Sequence, residues 1–390
     1  MQALPFRTCC YTDALMLPGS ATAEGTLRYR DRFPDFELAG HFRHAESVPG
    51  VSDFSLSSMG LGTYLGEPDD AADREYVEAT VTALKSGINV LDTAINYRHQ
   101  RSERNLGEAL NRLICSGDLQ RDEVLVCTKA GYLSLDGDMP PDPREYFVDE
   151  YVATGVLDPK ELAGGVHCMA PRFLRNQIER SRGNLGLQTI DVFYVHNPET
   201  QLAEVPPEVF RRRMREAFEL LEDLVAAGTL RFYGIATWNG LRVAEGARDY
   251  IGLEETVALA RDIAGEEHHF RFVQLPFNLA MPEAYVLANH TSQHKHVSLL
   301  GAARKLGVAV VGSATLYQGR LRHGLPKNLG RKLGLKSDGE NAIQFARSAP
   351  DLLTALIGMG QSEHVTRNLR TARVPPTRLD VWESLFSRDA

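Results

Sequence analysis

Three apolar runs in this chain carry, at or near their ends, a residue able to move a proton or hold a charge. INVLDTA contains Asp92, VLVCTK ends on Lys129 and VFYVH ends on His196. Tyr97 follows Asp92 by five residues, close enough to fold back over the same place. Taken singly, each has a plain structural explanation: an Asp after a strand often caps a turn, and a terminal Lys or His is usually solvated. Taken together they suit the reduction of a carbonyl. Hydride delivered to a carbonyl carbon builds negative charge on the oxygen, so a proton donor has to stand there. Free Tyr titrates at about 10, and an ammonium beside it favours the phenolate. That is the role expected of Lys129, with Asp92 keeping the ammonium charged and oriented. His196 is expected to bond and polarise the carbonyl oxygen. The set is complete except for hydride, which has to come from a cofactor.

These residues converge only if their strands run parallel with their C-terminal ends on one rim. The sequence carries that pattern from about residue 51 onward, as short β-branched runs alternating with longer amphipathic stretches. Strands are predicted near Met59–Thr63, Ile88–Thr93, Val124–Lys129, Asp191–His196, Arg231–Thr237, Phe272–Pro276, Val308–Ser313 and Leu353–Gly358. Between them, Val77, Val81 and Leu84 form a helical stripe with Asp69 or Asp70 as cap and Gly87 past its end. Met214, Phe218, Leu221 and Val225 form a second stripe closed by Gly228, and Leu174, Ile178 and Leu185 a third. Eight such units is the number that closes a β/α barrel. Periodicity alone also allows an open doubly wound sheet. That fold would favour a Gly-rich dinucleotide loop after the first strand, and GLGTYLG (Gly60 to Gly66) does not fit its spacing. Residues 1–50, broken by Pro5, Pro18, Pro34 and Pro49, read as an irregular N-terminal extension wrapped on a barrel domain of residues 51–390. Two connections are unusually long: Gly131 to about Met169 after the third strand, and Asn278 to about Ser298 after the sixth. Both leave the rim where barrel sites lie, which marks them as pocket walls. Tyr146, Phe147, Trp238, Tyr285 and Tyr317 are aromatic candidates to line such a pocket.

Composition narrows the classes. The 390 residues carry a net charge of -8, which argues against nucleic acid as a partner. Five cysteines without regular spacing do not make a disulfide framework, so a reducing, cytoplasmic setting is expected. No apolar run approaches a membrane span, and the N-terminus lacks the apolar core of a secretory signal. His268, His269, His290, His294 and His296 invite a metal reading, but no Cys or carboxylate completes a ligand spacing. His167 beside Cys168 likewise lacks the surroundings of a thiol nucleophile, and a structural cysteine is the plain reading.

From about Leu56 to Ala372 the chain resembles the aldo-keto reductases. GLGTY (Gly60 to Tyr64) is similar to the first barrel strand of that family. GINVLDTAINY (Gly87 to Tyr97) with SERNLG (Ser102 to Gly107) is similar to the signature around its Asp and Tyr. Lys129 stands where the family has its Lys, and RSRGNLGLQTIDVFYVHNP (Arg180 to Pro198) resembles the second signature, which ends on its His. The resemblance implies a (β/α)8 TIM barrel, a small-molecule aldehyde or ketone substrate, and NADPH as hydride source with NADH as the alternative. It also implies that Asp92, Tyr97, Lys129 and His196 are catalytic. On the cofactor side it implies Gly62, Thr63 and Tyr64 beside the nicotinamide together with Asp92, and Gln274 and Thr237 at its carboxamide. Ala236 and Thr237 replace the usual Ser-Asn pair. Ser313 falls where an aromatic commonly stacks, with Tyr317 nearby. Leu316, Gln318, Gly319 and Arg320 resemble the loop over the pyrophosphate. At the adenosine end, Gly358, Met359, His364, Arg367 and Asn368 align with the family motif without its usual Lys, Ser and Arg. His364, Arg367 and Arg370 are the substitutes expected for a 2′-phosphate. Two other readings remain: a cofactor-binding regulatory or structural subunit with little turnover, and a barrel metallohydrolase with Asp92 and histidines as ligands.

Overall fold

The computed structural model describes residues 16–292 and 294–387. Eight parallel strands close on themselves in sequence order: β1 (Met59–Gly62), β2 (Val90–Asp92), β3 (Leu125–Ala130), β4 (Ile190–His196), β5 (Leu230–Ala236), β6 (Phe270–Pro276), β7 (Ala309–Ser313) and β8 (Leu352–Gly358). The seam between β8 and β1 is sealed by the pairing of Gly358 with Gly62. All eight expected strands are present, and the sheet is a closed barrel rather than an open one.

Eight helices follow the strands: α1 (Asp70–Lys85), α2 (Arg101–Cys115), α3 (Pro171–Leu185), α4 (Pro207–Ala226), α5 (Leu253–Ala264), α6 (Leu299–Leu306), α7 (Asp338–Arg347) and α8 (Ser362–Asn368). Asp69 caps α1, its carboxylate accepting the Ala72 amide at 2.8 Å. Tyr76, Val77, Thr80 and Leu84 form the face that α1 buries. Among the described residues, no helix is long and apolar enough to cross a membrane.

Side chains sort by the two-residue period of a strand. Val90, Leu125, Cys127, Val192, Tyr194, Phe232 and Phe272 belong to one apolar cluster inside the barrel. Their neighbours Leu91, Val126, Phe193, Val195 and Val273 join the larger cluster between sheet and helices. The same alternation turns Asp92, Lys129, His196 and Gln274 inward, at the C-terminal end of the interior.

The extension differs from its sequence reading. Within residues 16–57 lie a helix at Ala23–Arg30, a shorter one at Pro34–Leu38, and a strand at Phe42–Arg43 paired antiparallel with Leu56–Ser57. Thr22 caps the first helix on the Gly25 amide at 2.9 Å. These elements are too short to show a period through Pro34 and Pro49. Val48, Val51, Phe54 and Leu56 merge with the interior cluster, so the extension is the floor of the barrel. Residues 1–15 of the extension, with Cys9 and Cys10, lie outside the described residues. Cys127 and Cys168 are buried free thiols, and Cys115 is an exposed one.

The two long connections are also folded. The first carries a helix at Pro143–Phe147 that widens into a turn over Val148–Val152, and it doubles back so that Tyr132 bridges His167. The second holds a short helix at Glu283–Val286 and a hairpin of His290–Ser292 with Lys295–Val297.

Candidate active site

The ammonium of Lys129 lies 2.5 Å from Oδ1 of Asp92 and donates to the Thr93 carbonyl at 2.7 Å. The other carboxylate oxygen, Oδ2, accepts the Gln274 amide at 2.7 Å. Asp92 is therefore held from two directions, by Lys129 on the adjacent strand and by Gln274 four strands around the barrel. Lys129 Nζ is 5.0 Å from the centre of the Tyr97 ring, and that ring is 5.9 Å from His196, edge to face. Tyr64 closes one side at 5.1 Å from Tyr97, and Tyr132 the other at 5.3 Å from His196. The four residues singled out from sequence thus share one rim.

Burial sets the charges. Asp92 and Lys129 are almost fully buried as an ion pair, and the carboxylate holds the Lys129 pKa above its ordinary value despite desolvation. His196 is held well below 6.5, first by burial and then by the charge of Lys129, so its ring is neutral. Tyr97 departs from the sequence argument. Lys129 does pull its pKa down, but burial outweighs it and the phenol lies above 10, fully protonated. Among the described residues, the Nδ1 atom of His196 is buried without a hydrogen-bond partner.

Tyr97 reaches the rim through an unusual turn. Arg98, His99 and Gln100 have φ of 47°, 55° and 69°, three consecutive non-glycine residues in left-handed conformation. The turn is pinned from outside. Arg98 donates to the Glu67 carbonyl at 2.8 Å and pairs with Asp73 at 2.7 Å, and Gln100 donates to the Leu135 carbonyl at 2.9 Å. The next helix is fixed by Ser102, which donates to the Thr63 carbonyl at 2.9 Å. Buried Glu103 then accepts from Thr128 at 2.6 Å and from Asn184 at 2.8 Å, joining the two sequence signatures.

The remaining predicted residues form a second group beside the first. Gly62 and Gly358 meet at the β1–β8 seam, Thr63 donates weakly to the Asp92 carbonyl at 3.3 Å, and the Thr237 amide donates to the Gln274 carbonyl at 2.8 Å. Ser313 ends β7, where its carbonyl accepts the Phe277 amide at 2.9 Å. After it, Ala314, Tyr317 and Gln318 are all left-handed, and the Leu316–Arg320 turn stacks Arg320 on the Tyr317 ring at 5.0 Å. Met359 and Asn368 are buried. His364 and Arg367 ride on α8, and Arg322, from the segment after β7, stands near enough to join burial and Arg367 in lowering the His364 pKa. Arg322 was not singled out from sequence, because nothing local ties residue 322 to residue 364.

Three aromatic candidates pack on other rings. Tyr146 and Phe147 pack on Tyr151, against α3. Tyr285 packs on Trp382 at 4.7 Å and on Phe386, near the C-terminal end of the chain. Trp238 remains half-exposed at the end of β5, where Glu199 accepts its amide at 2.6 Å and that of Asn239 at 3.0 Å. Sequence reasoning missed Tyr132, although its place three residues past Lys129 was a readable signal. It also missed the support beneath His196, for which no signal exists. Gln201 donates to Nδ1 of His167 at 2.7 Å, so Nε2 of His167 carries the proton and donates to the His196 carbonyl at 2.7 Å. Two of the histidines that invite a metal reading have structural partners: His269 bonds Glu222 at 2.7 Å and His290 bonds the Leu241 carbonyl at 2.8 Å. Among the described residues, no group of three or more His, Cys, Asp or Glu side chains could hold a metal ion.

A closed parallel barrel with an ion pair, a phenol and an imidazole on its C-terminal rim defines a β/α-barrel protein with titratable groups gathered at its strand ends. The sequence profile of the Aldo/keto reductase family matches residues 58–385, and the chain belongs to that family. It is 28% identical over 201 residues to the NADH-specific methylglyoxal reductase of Escherichia coli, across 50% of this chain and 53% of that protein. It is 26% identical over 193 residues to the aldo-keto reductase AFTS1 of Alternaria alternata, across 48% and 46%. The chain thus spans about half the length of the curated relatives it matches. Among solved structures it is similar to an aldo-keto reductase of Bacillus halodurans in its holo form, with a TM-score of 0.59, 17% identity, and coverage of 88% of this chain and 94% of that one. An aldo/keto reductase from Klebsiella pneumoniae in complex with NADP and acetate gives a TM-score of 0.56 at 20% identity, covering 86% and 93%. Identities at this level speak for the fold.

Proposed function

We propose that the protein is an oxidoreductase that reduces an aldehyde or ketone to the alcohol, with NADPH as the reductant and NADH as the alternative. The observation that carries this reading is the convergence of Tyr97, Lys129, Asp92 and His196 on one rim. The nicotinamide supplies the hydride when bound. A carbonyl held between Tyr97 and His196 would gain its proton from the Tyr97 hydroxyl, which is protonated in the resting site. Lys129 stabilises the phenolate that this transfer leaves, and Asp92 keeps Lys129 charged and aimed. Neutral His196 orients and polarises the oxygen without competing as an acid.

The donor chemistry of the second group fits a dinucleotide. Arg320, Arg322, His364 and Arg367 place cationic or protonatable groups along the segment after β7 and on α8, suited to a pyrophosphate and a 2′-phosphate. Thr237 and Gln274 stand ready beside the rim, although the Gln274 amide nitrogen is already engaged with Asp92. The basic set favours NADPH, in keeping with the NADP named in the Klebsiella structure; the E. coli relative is named as NADH-specific.

The test follows the absorbance of NADPH, and separately NADH, against a panel of aldehydes and ketones, with Tyr97→Phe alongside. Loss of the hydroxyl is expected to lower carbonyl-dependent oxidation by about 10²–10⁴-fold while cofactor binding stays unchanged. Equal turnover in the variant would remove Tyr97 from the mechanism. Cofactor binding without turnover by the wild type would favour the regulatory-subunit reading.

A further inference from the structure

A second cavity, of about 480 Å³, lies at the N-terminal ends of the barrel strands, away from the rim that holds Tyr97. Its walls come from the extension at Ser20 and Gly50, from Arg231 and Phe232 at the start of β5, and from His268 and Arg271 at the start of β6. Arg271 is 5% exposed and His268 1% exposed, while Arg231 is half-buried.

Among the described residues, neither arginine has a carboxylate within 4.0 Å, so neither forms an ion pair. The Arg231 guanidinium lies over the rings of Phe54 at 4.8 Å and Phe232 at 5.2 Å, with only Ser20 Oγ at 3.5 Å as a polar contact. Arg271 donates to the Glu266 carbonyl at 3.2 Å and otherwise lies against the His268 ring nitrogens at 3.2 Å. Of the carboxylates near these arginines, Asp191 and Glu222 are occupied, and Glu24 and Glu267 stand beyond ion-pair distance. Asp191 binds Arg121 at 2.6 Å and the amides of Ala21 and Val126, and Glu222 binds His269 and the Tyr233 hydroxyl. Glu267, on the exposed edge of the cavity, is beyond ion-pair distance of both arginines. A cation withdrawn from water is normally paired. Here two arginines and a histidine line one space, and the one carboxylate that lines it with them, Glu267, pairs with neither arginine.

We propose that this cavity is a binding site for a phosphate group, free or carried as a monoester of a small molecule, with Arg231 and Arg271 as its donors. Planar guanidinium forks match the oxygens of a phosphate in pairs. The apolar wall of Leu230, Val225 and Phe232 leaves room for the organic part of an ester. One wall of the site, at Ser20, Pro49 and Gly50, comes from the extension, which lies outside the segment matched by the family profile.

The test has two parts on the full chain. Crystals soaked in selenate are expected to show an anomalous peak between the Arg231 and Arg271 guanidinium groups; a peak only at the opposite rim, or none, overturns the proposal. Calorimetric titration at fixed ionic strength, first with inorganic phosphate and then with glycerol 3-phosphate, is expected to show saturable binding that weakens at least tenfold in Arg231→Gln and in Arg271→Gln. Unchanged affinity in both variants overturns it as well. The soak stands even where a variant fails to fold. A tenfold preference for the ester assigns the organic wall a role, and equal affinity assigns the site to free phosphate.

Discussion

Lys129 is about 1% exposed on its side chain and Asp92 about 6%, so the two charges at the heart of the rim are out of water. Such a pair adds little stability relative to an apolar pair of the same shape, yet removing one member strands the other. Lys129→Met should therefore do more than abolish turnover. It is expected to destabilise the fold by about 3–5 kcal/mol through the uncompensated Asp92 carboxylate, read as a fall in the urea midpoint. Tyr97→Phe, which removes one neutral hydroxyl and leaves no charge unpaired, should leave that midpoint nearly where it was. Equal midpoints for Lys129→Met and the wild type would mean that Asp92 takes up a proton and the pair is not a structural charge. The Gln274 bond to Asp92 supports the same carboxylate from the far side of the barrel, so the loss would be partial rather than complete.

Between elements, the tightest constraint is where α2 crosses α3. A Cβ on Gly107 would stand 2.5 Å from the Asn184 carbonyl oxygen and 2.9 Å from the Leu185 backbone, so no side chain fits there. Gly183, in the facing helix, has nothing within 4 Å of its own missing Cβ. Gly107→Ala is expected to destabilise by about 1–3 kcal/mol through overpacking. Gly183→Ala should be neutral or stabilise by up to about 1 kcal/mol, because only the helix propensity changes. Chemical denaturation of the pair checks the contrast, and matching effects would refute it. This junction also shows what sequence can and cannot tell. Asp92, Lys129 and His196 were legible because strand ends and the two-residue period place them without knowledge of any partner. The alternation of runs and stripes likewise gave all eight strands. The Gln274–Asp92 bond was not legible, since it spans 182 residues and depends on how the barrel closes. The left-handed turn at Arg98–Gln100 was hidden because its residues carry no glycine or asparagine to announce it. The packing of Tyr285 on Trp382 was not legible because a loop's position after a strand does not say which way the loop folds.

Across the whole molecule, the extension is tied to the opposite end of the chain. His41 is fully buried, its Nε2 2.9 Å from the Gly87 carbonyl and its Nδ1 3.0 Å from Ser58, and Arg347 bonds the same Ser58 at 3.1 Å. Burial, then the charge of Arg347, holds the His41 pKa down to about 3. In the unfolded chain the ring takes a proton as pH falls through about 6.5, while in the fold it does not until far lower. The unfolded state therefore binds more protons in that window, and stability is lost as pH falls. His41→Gln lacks this linkage. The stability gap between wild type and variant should narrow by about 1.4 kcal/mol between pH 7.5 and 5.5, measured from urea midpoints at each pH. A gap that stays constant would mean that His41 takes up its proton in the fold at the same pH as in the unfolded chain.

The same anchoring bears on how the chain is born. Arg43 donates to the carbonyls of Arg347 and Leu352, 304 and 309 residues downstream. At a synthesis rate of about 5–20 residues per second, roughly 15–60 s separate the appearance of Arg43 from that of its partners. Throughout that interval Val48, Val51 and Phe54 have been made but the barrel they seal has not, so these side chains stay wet or borrow other cover. The stopper leaves the ribosome before the vessel it closes.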